Sequence, residues 1–393
     1  MKFLSKSSQN NSFWIGCASF FGGISQDMLL PILPLYFTNV LHFDKSFIGL
    51  IDGAATGSAT LCKIVAGYLS DKLQQRKSFI LLGYFLSWIS RPLLVLTTSG
   101  AGVLALRSLD GIGKGVKDSP KEALVADSAP QATRGKEFGI VRMLDTFGSV
   151  VGPFILMGLL YFFKDSVHKY QYIFILTALP LGVTLFLMSY TVVEPPVRSA
   201  AHQLKLQGAL PKNFYLFLAI SVFFALGNFS DSFFILRAQQ AGFGTLAISF
   251  IYALFNFVYA IASVPLGILS DKIGRIKIML LGWIIFAAIH LGLAVSFASW
   301  QVVVLFIAYG LYYATTFGAA RALIADMVPE EHRGKAYGIY NACTGFAALP
   351  ASYAAGRLWD AYSATAPFLF GAGMAVCSIL LLILFNFRSA RRR

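Results

Sequence analysis

The strongest constraint on this chain is a succession of apolar stretches, each long enough to cross a bilayer as a helix. A membrane-spanning helix needs about 20 mostly apolar residues. That window finds twelve stretches: 13–40, 47–70, 78–97, 101–123, 136–162, 172–193, 213–237, 246–270, 276–296, 302–325, 336–357 and 366–387. A soluble reading fails on composition, because 57% of the 393 residues are apolar and only 13% are charged, about half the charge fraction of a soluble domain. The first stretch is too long for a cleaved signal peptide and no small-residue cleavage site follows it, so it is expected to stay in the membrane.

The net charge of +14 raises the question of a nucleic-acid partner, and the placement of the 32 basic residues answers it. With the N-terminus inside, 19 Lys and Arg fall on the cytoplasmic side, among them Lys2, Lys72, Lys77, Arg134, Lys136, Arg198, Lys212, Lys277, Arg333, Lys335 and Arg391–Arg393. Five fall opposite: Lys45, Lys164, Lys169, Arg237 and Arg357. This bias places both termini in the cytoplasm and turns most of the charge into a topology signal, excluding nucleic acid as a partner. The four cysteines, Cys17, Cys62, Cys343 and Cys377, lie inside apolar stretches without a CxxC pattern or a partnering His. They read as small interior residues, and no metal site or other cofactor is expected.

The chain repeats itself at an offset near 200 residues. Gly67-Tyr-Leu-Ser-Asp71-Lys72 recurs as Gly267-Ile-Leu-Ser-Asp271-Lys272, Ala-Leu-Val-Ala-Asp127 as Ala-Leu-Ile-Ala-Asp326, and Arg134-Gly-Lys136 as Arg333-Gly-Lys335. Two six-span halves, 1–193 and 213–393, are therefore expected, joined by a polar cytoplasmic linker at 194–212 that carries Pro195, Pro196 and Pro211. Parallel six-helix repeats that share a midplane site are a transporter architecture.

Eight basic residues remain inside spans: Lys63, Arg91, Arg107, Lys114, Lys117, Lys121, Arg142 and Arg321. On the fourth span Arg107, Asp110, Lys114, Lys117 and Lys121 follow a +3/+4 spacing and fall within an arc of roughly 80° on a helix. That face cannot meet lipid, since an ionisable side chain at the bilayer centre costs at least about 2.5–3.5 kcal/mol. It must line a watery cavity or pair with acids, and Asp27, Asp52, Asp110, Asp118, Glu122 and Asp145 are available. The repeat provides an internal control. Residues 199 positions later are Phe306, Tyr309, Tyr313, Thr316, Phe317 and Ala320, so the scaffold does not require the charges.

Two readings of the stripe stand. In one, Arg107, Lys114, Lys117 and Arg91 attract an anionic substrate, with Tyr309 and Tyr313 lining its path, and Asp27, Asp110, Asp52 or Asp145 exchanges a proton. In the other, the charges form a neutralised network and aromatic side chains hold the substrate. Lys114, near mid-span, is the most costly member. Lys121, Asp118 and Glu122 follow Pro120 near the span's end and read as snorkelling groups.

Gly111-Ile-Gly-Lys-Gly115 matches no phosphate loop; Gly111 and Gly115 read as a small-xxx-small packing pair. His290 reads as a satisfied interior histidine unless Asp231 pairs with it. Asn228-Phe-Ser230 matches a glycosylation sequon inside a span, where it cannot be modified, and carries no other expectation. Arg391–Arg393 reads as an anchor to an anionic membrane face.

The Gly67–Lys77 and Gly267–Lys277 segments resemble the loops between spans 2 and 3 and spans 8 and 9 of the major facilitator superfamily, and the resemblance covers essentially the whole chain. In the first copy Gln74 and Gln75 stand where the family has Gly and Arg. Arg107, Asp110, Gly111 and Gly113 resemble the fourth-span motif of proton-linked members. Gly148, Gly152 and Pro153 resemble the fifth-span antiporter motif, with Leu156 and Met157 at two glycine positions. Asp27, Pro31 and Pro34 resemble the first-span pattern of drug–proton antiporters.

The resemblance implies an all-α fold of twelve transmembrane helices in two pseudo-symmetric six-helix halves, acting as a functional monomer in a bacterial inner membrane. It implies a gating latch of Asp71 and Arg76 with Asp127, and of Asp271 and Arg275 with Asp326, tying the halves together. The expected function is non-enzymatic: proton-coupled secondary transport of a small anionic or amphiphilic molecule, directed outward. The alternative is proton-coupled uptake of an organic anion such as a carboxylate siderophore. A transport-dead sensor or an intramembrane enzyme on the same scaffold is the remote reading.

Overall fold

The computed structural model describes residues 11–129, 134–194, 209–296 and 298–390. Most of the expected linker, the basic N-terminal residues and Arg391–Arg393 lie outside them. Every expected apolar stretch is occupied by one helix or by a broken pair. α1 (Asn11–Leu29) and α2 (Leu33–Asn39) form the first span. α3 (Lys45–Leu73), α4 (Arg76–Leu93), α5 (Gly100–Ser128) and α6 (Arg134–Phe162) follow, and α7 (Lys169–Leu176) with α8 (Ala178–Tyr190) forms the sixth. α9 (Lys212–Gly227) and α10 (Ser232–Gln240) open the second series. α11 (Thr245–Ile273), α12 (Arg275–Val295), α13 (Ser299–Met327), α14 (Arg333–Ala361) and α15 (Ala366–Ala390) complete it.

Nine of these spans, among the described residues, are long and apolar enough to cross a membrane on length and composition alone. The other three are the broken first span, the charged α5, and α14, where small and polar residues dilute the apolar ones.

The internal repeat is visible in helix length. α3, α5 and α6 have 29 residues each, as do their counterparts α11, α13 and α14. At 1.5 Å per residue each is about 43 Å long, the thickness of a bilayer with its headgroups. By its contacts the chain divides into two units, Met1–Leu41 with Ala54–Ala200, and His42–Gly53 with Ala201–Arg393. In the first, α1 packs on α6 and α8, and α4 on α5 and α8. In the second, α9 packs on α14 and α15, and α12 on α13 and α15. The pairing scheme is thus repeated along with the sequence.

Glycine sets the closest of these approaches. A Cβ at Gly111 or Gly115 of α5 would fall on the Ala55 or Ala59 carbonyl oxygen of α3, and one at Gly148 or Gly152 of α6 on the Phe20 or Ile24 carbonyl oxygen of α1. These contacts hold backbones together where lipid supplies no hydrophobic drive. Pro153, next to Gly152, is inside α6.

Local signals set the helix ends. Ser99 caps α5 by accepting from Gly102 N at 3.2 Å. In the second unit, the Asp360 carboxylate accepts the first backbone N–H groups of α3, from Lys45 at 3.1 Å and Ser46 at 2.7 Å. This is a cap supplied from the end of another helix. α11 ends at Gly274 with φ 103°, and the equivalent position after α3 is Gln74 with φ 56°. The first repeat therefore places a side chain where the second uses a glycine.

Candidate functional site

In the first unit the α5 stripe meets α4 and α1. Asp110 is 2% exposed and is shared by three cations. Arg107 Nη1 lies 2.9 Å from its Oδ2, Lys114 Nζ 3.4 Å from the same oxygen, and Arg91 Nη2 of α4 3.5 Å from Oδ1. Arg91 also donates to Gln26 Oε1 of α1 at 3.0 Å and to Ser25 Oγ. Ser25 in turn donates to the Thr177 carbonyl. Asp27, buried on α1, lies within electrostatic range of Arg91. Three cations thus face two carboxylates, leaving one positive charge over, and the buried Arg91 Nε has no hydrogen-bond partner.

The burial differs from the sequence expectation in one respect. The side chains of Arg91 and Arg107 are 3% and 4% exposed, whereas that of Lys114 is 26% exposed. The desolvation cost therefore concentrates on the two arginines. Lys114, though mid-span, is the least buried of the three cations by side-chain exposure.

The rest of the stripe does not join this cluster. Lys117 turns to Asp118 at 2.8 Å and over the Tyr84 ring at 5.1 Å. Lys121 donates to Ser19 Oγ at 3.3 Å, and Lys63 pairs with Glu122 at 3.4 Å. Asp145 pairs with Arg142 at 3.4 Å, apart from Asp110. Arg321 lies over the Phe317 ring at 4.5 Å.

The loop acids and arginines come together in both repeats. Arg76 reaches Asp71 at 2.7 Å and Asp127 at 2.6 Å; Arg275 contacts Asp271 and lies 3.6 Å from Asp326. Arg76 stands one position later than Arg275 in the repeat and still reaches both acids, aided by the left-handed turn at Gln74. Each triad lies within one unit. The pairs observed brace α3, α4 and α5 in the first and α11, α12 and α13 in the second, where the sequence reading expects them to tie one half to the other.

Sequence reasoning missed a neighbouring cap. Glu194 accepts Arg76 N at 2.6 Å and Lys77 N at 3.0 Å, starting α4, while Lys77 Nζ donates to the Ser189 and Val192 carbonyls at 2.7 Å each, closing α8. Lys77 reads from sequence as a topology charge alone.

The second unit gathers a different chemistry. Tyr309 and Tyr313 of α13 face the break between α9 and α10. Tyr309 donates to Asn228 Oδ1 at 3.3 Å, Asn228 Nδ2 donates to Tyr312 at 3.0 Å, and the Tyr313 hydroxyl lies 3.3 Å from both oxygens of Asp231. Asp52 on the first part of α3, in this unit by its contacts, accepts the hydroxyls of Ser230 at 2.7 Å and Ser232 at 2.5 Å. Asn228 and Ser230, which the sequence reading leaves without a role, are therefore the residues around which the break is built. The usable signal was four residues, Asn228-Phe-Ser-Asp231, with three polar members in an otherwise apolar span. His290 stacks on Phe286 with ring centroids 3.7 Å apart, and its Nδ1 lies 2.9 Å from the Phe286 carbonyl oxygen. It is a satisfied interior histidine, and Asp231 has Tyr313 for its partner instead.

Two series of spans repeated in sequence, helix length and helix pairing, with polar clusters inside apolar helices, define a multi-pass membrane transporter. The chain belongs to the Major Facilitator Superfamily, whose family model matches residues 15–255 and 216–393. It is 35% identical over 381 residues to MJ1317 of Methanocaldococcus jannaschii, an uncharacterized MFS-type transporter, covering 95% of this chain and 94% of that one. It is 26% identical over 172 residues to the quinolone resistance protein NorA of Staphylococcus aureus, covering 44% of this chain and 42% of NorA. Among solved structures, the nucleoside transporter NupG superposes with a TM-score of 0.77 at 14% identity, covering 96% of this chain and 99% of NupG. The likeness to NupG is one of fold.

Proposed function

We propose that this transporter moves a small organic anion across the membrane by alternating access, coupled to protons and directed outward, with both termini in the cytoplasm of a bacterial inner membrane. The observation that carries the reading is the excess positive charge of the Arg91–Asp110–Arg107–Lys114 cluster. A buried cluster with one cation in excess is stabilised by an arriving anion, and Lys114 is its least buried cation. The match to a quinolone resistance protein and the first- and fifth-span patterns favour export. The basic loops favour internal termini. The two arginine–aspartate triads brace the helix ends that must move as units during alternation, which is the gating role assigned to them here.

The test uses proteoliposomes loaded with a pH-reporting dye. Organic mono- and dicarboxylates are expected to evoke proton flux in the wild type. Lys114→Ala, which removes a charge-assisted contact worth about 1.5–3 kcal/mol, is expected to reduce that flux roughly ten- to a hundredfold at limiting anion concentration. Flux evoked by lipophilic cations and unchanged by Lys114→Ala would refute the anionic reading.

A further inference from the structure

We propose that Asp231 is a proton-binding site of the second unit, taking a proton from water to become a carboxylic acid and giving it back. The inference rests on proton coupling as proposed above, and it moves the proton carrier away from the acids that sequence spacing selects.

Three observations lead there. The first is the backbone. α9 stops at Gly227 and α10 starts at Ser232, and the first span breaks at the matching place, between Leu29 and Leu33. Matched interruptions in the two halves of a repeat transporter mark polar sites at membrane depth. Pro31 and Pro34 account for the first break, since proline removes a helix donor. The second contains no proline; Gly227, the last residue of α9, is the helix-weakening residue beside it. Its backbone is held open by side chains, through Asn228 to Tyr309 and Tyr312 and through Ser230 and Ser232 to Asp52. A break without a proline, kept at the cost of backbone hydrogen bonds in an apolar setting and held open by four side-chain hydrogen bonds, marks a site.

The second observation is the surroundings of Asp231. Its hydrogen-bond partners are the hydroxyls of Tyr309 and Tyr313, and that of Tyr313 lies 3.3 Å from both carboxylate oxygens, well beyond the 2.5–2.7 Å of a strong hydroxyl–carboxylate bond. No Lys, Arg or His lies within ion-pair distance of it among the described residues. The titratable groups facing it are Tyr309, Tyr312 and Tyr313 of α13, Asp52 of α3, with Tyr259 of α11 and His290 of α12 against the same tyrosines. All are neutral or negative. Arg237, on the same helix, is turned to Leu293, Ser296 and Gln240.

The third observation is the contrast with Asp110, which three cations share. Asp110 is placed to anchor cations, whereas Asp231 faces hydroxyls and a second carboxylate. Of the two surroundings only the second offers nothing but a proton to neutralise an acid.

The experiment needs no substrate. Purified full-length protein in lipid nanodiscs is titrated with pH and followed by infrared difference spectroscopy in the carboxylic C=O region, where ionised carboxylates do not absorb. A band that rises as pH falls, disappears in Asp231→Asn, and moves to higher wavenumber in Tyr313→Phe supports the proposal. The second variant keeps the carboxyl and removes one of its two tyrosine hydrogen bonds. No titrating band in the wild type, a band that survives Asp231→Asn, or one lost in Asp52→Asn but retained in Asp231→Asn, would overturn it. So would a band that follows sodium concentration at fixed pH and not pH itself. Failure here leaves anion-evoked flux and its loss in Lys114→Ala untouched, so the two readings fail separately.

Discussion

Asp110→Asn separates the structural part of the charged cluster from its working part. The substitution keeps the volume and a carbonyl acceptor and removes one negative charge. Arg91 and Arg107, with side chains 3% and 4% exposed, then lose their shared counter-ion. Breaking a buried ion pair by removing one partner costs about 3–5 kcal/mol, because the remaining charge stays desolvated. For a unit of this size each 1 kcal/mol lowers the melting temperature by roughly 2–4 °C, so a loss of about 6–20 °C is expected in detergent, read by intrinsic tryptophan fluorescence. The double variant Asp110→Asn/Arg107→Met, which removes one of the stranded cations, is expected to be milder than the two single losses added, by a coupling of about 1–3 kcal/mol. Lys114→Met alone, at a side chain 26% exposed, is expected to lose under about 1 kcal/mol. If Asp110→Asn melts within about 0.5 kcal/mol of the wild type, the scale of an ordinary surface change, Asp110 is not the counter-ion of the cluster and the argument fails.

Two further outcomes follow from the loops. Arg76→Ala removes contacts at 2.6 and 2.7 Å, whereas Arg275→Ala removes one close contact and one at 3.6 Å. With the acids 40–62% exposed, each pair is worth at most about 1 kcal/mol. Arg76→Ala is expected to destabilise more than Arg275→Ala, and both losses to shrink in molar salt; equal or salt-independent losses would contradict the geometry. Gln74→Gly relieves a left-handed backbone at φ 56° and is expected to raise stability by about 0.5–1 kcal/mol. Gly274→Ala at φ 103° is expected to lower it by about 1 kcal/mol or more, both read as melting shifts.

The fold was legible because bilayer physics leaves one option for an apolar stretch of span length, a helix with its backbone bonds satisfied internally. The α5 cluster was half legible. Helical spacing put Arg107, Asp110 and Lys114 on one face, but which of them is buried depends on neighbours. Arg91 comes from α4 and Gln26 from α1, and no spacing rule connects three helices. The second-unit site was less legible still. Tyr309 and Tyr313 stood out only as the counterparts of charged residues. Asn228 and Ser230 matched a modification signal that drew attention from their hydrogen bonds. Gly227 is a weak local signal that α9 can end there, but the partners that hold the helix open, Tyr309, Tyr312 and Asp52, are distant in sequence.

Helix lengths, helix pairings and arginine–aspartate triads recur, so these belong to the scaffold that any member of the repeat must build. What differs cannot be required by packing. On α5 the differing positions hold Arg107, Asp110 and Lys114; at the matching positions α13 holds Phe306, Tyr309 and Tyr313. Charge at membrane depth is costly, and a repeat that folds without it in one copy has no structural reason to keep it in the other. The two halves therefore differ in the excess positive charge of the first unit and in the Asp231 carboxyl of the second, which has no basic ion-pair partner among the described residues. On the function proposed above, the first half meets the anion and the second accepts the proton, and coupling would require that the two differ while the helices carrying them stay alike.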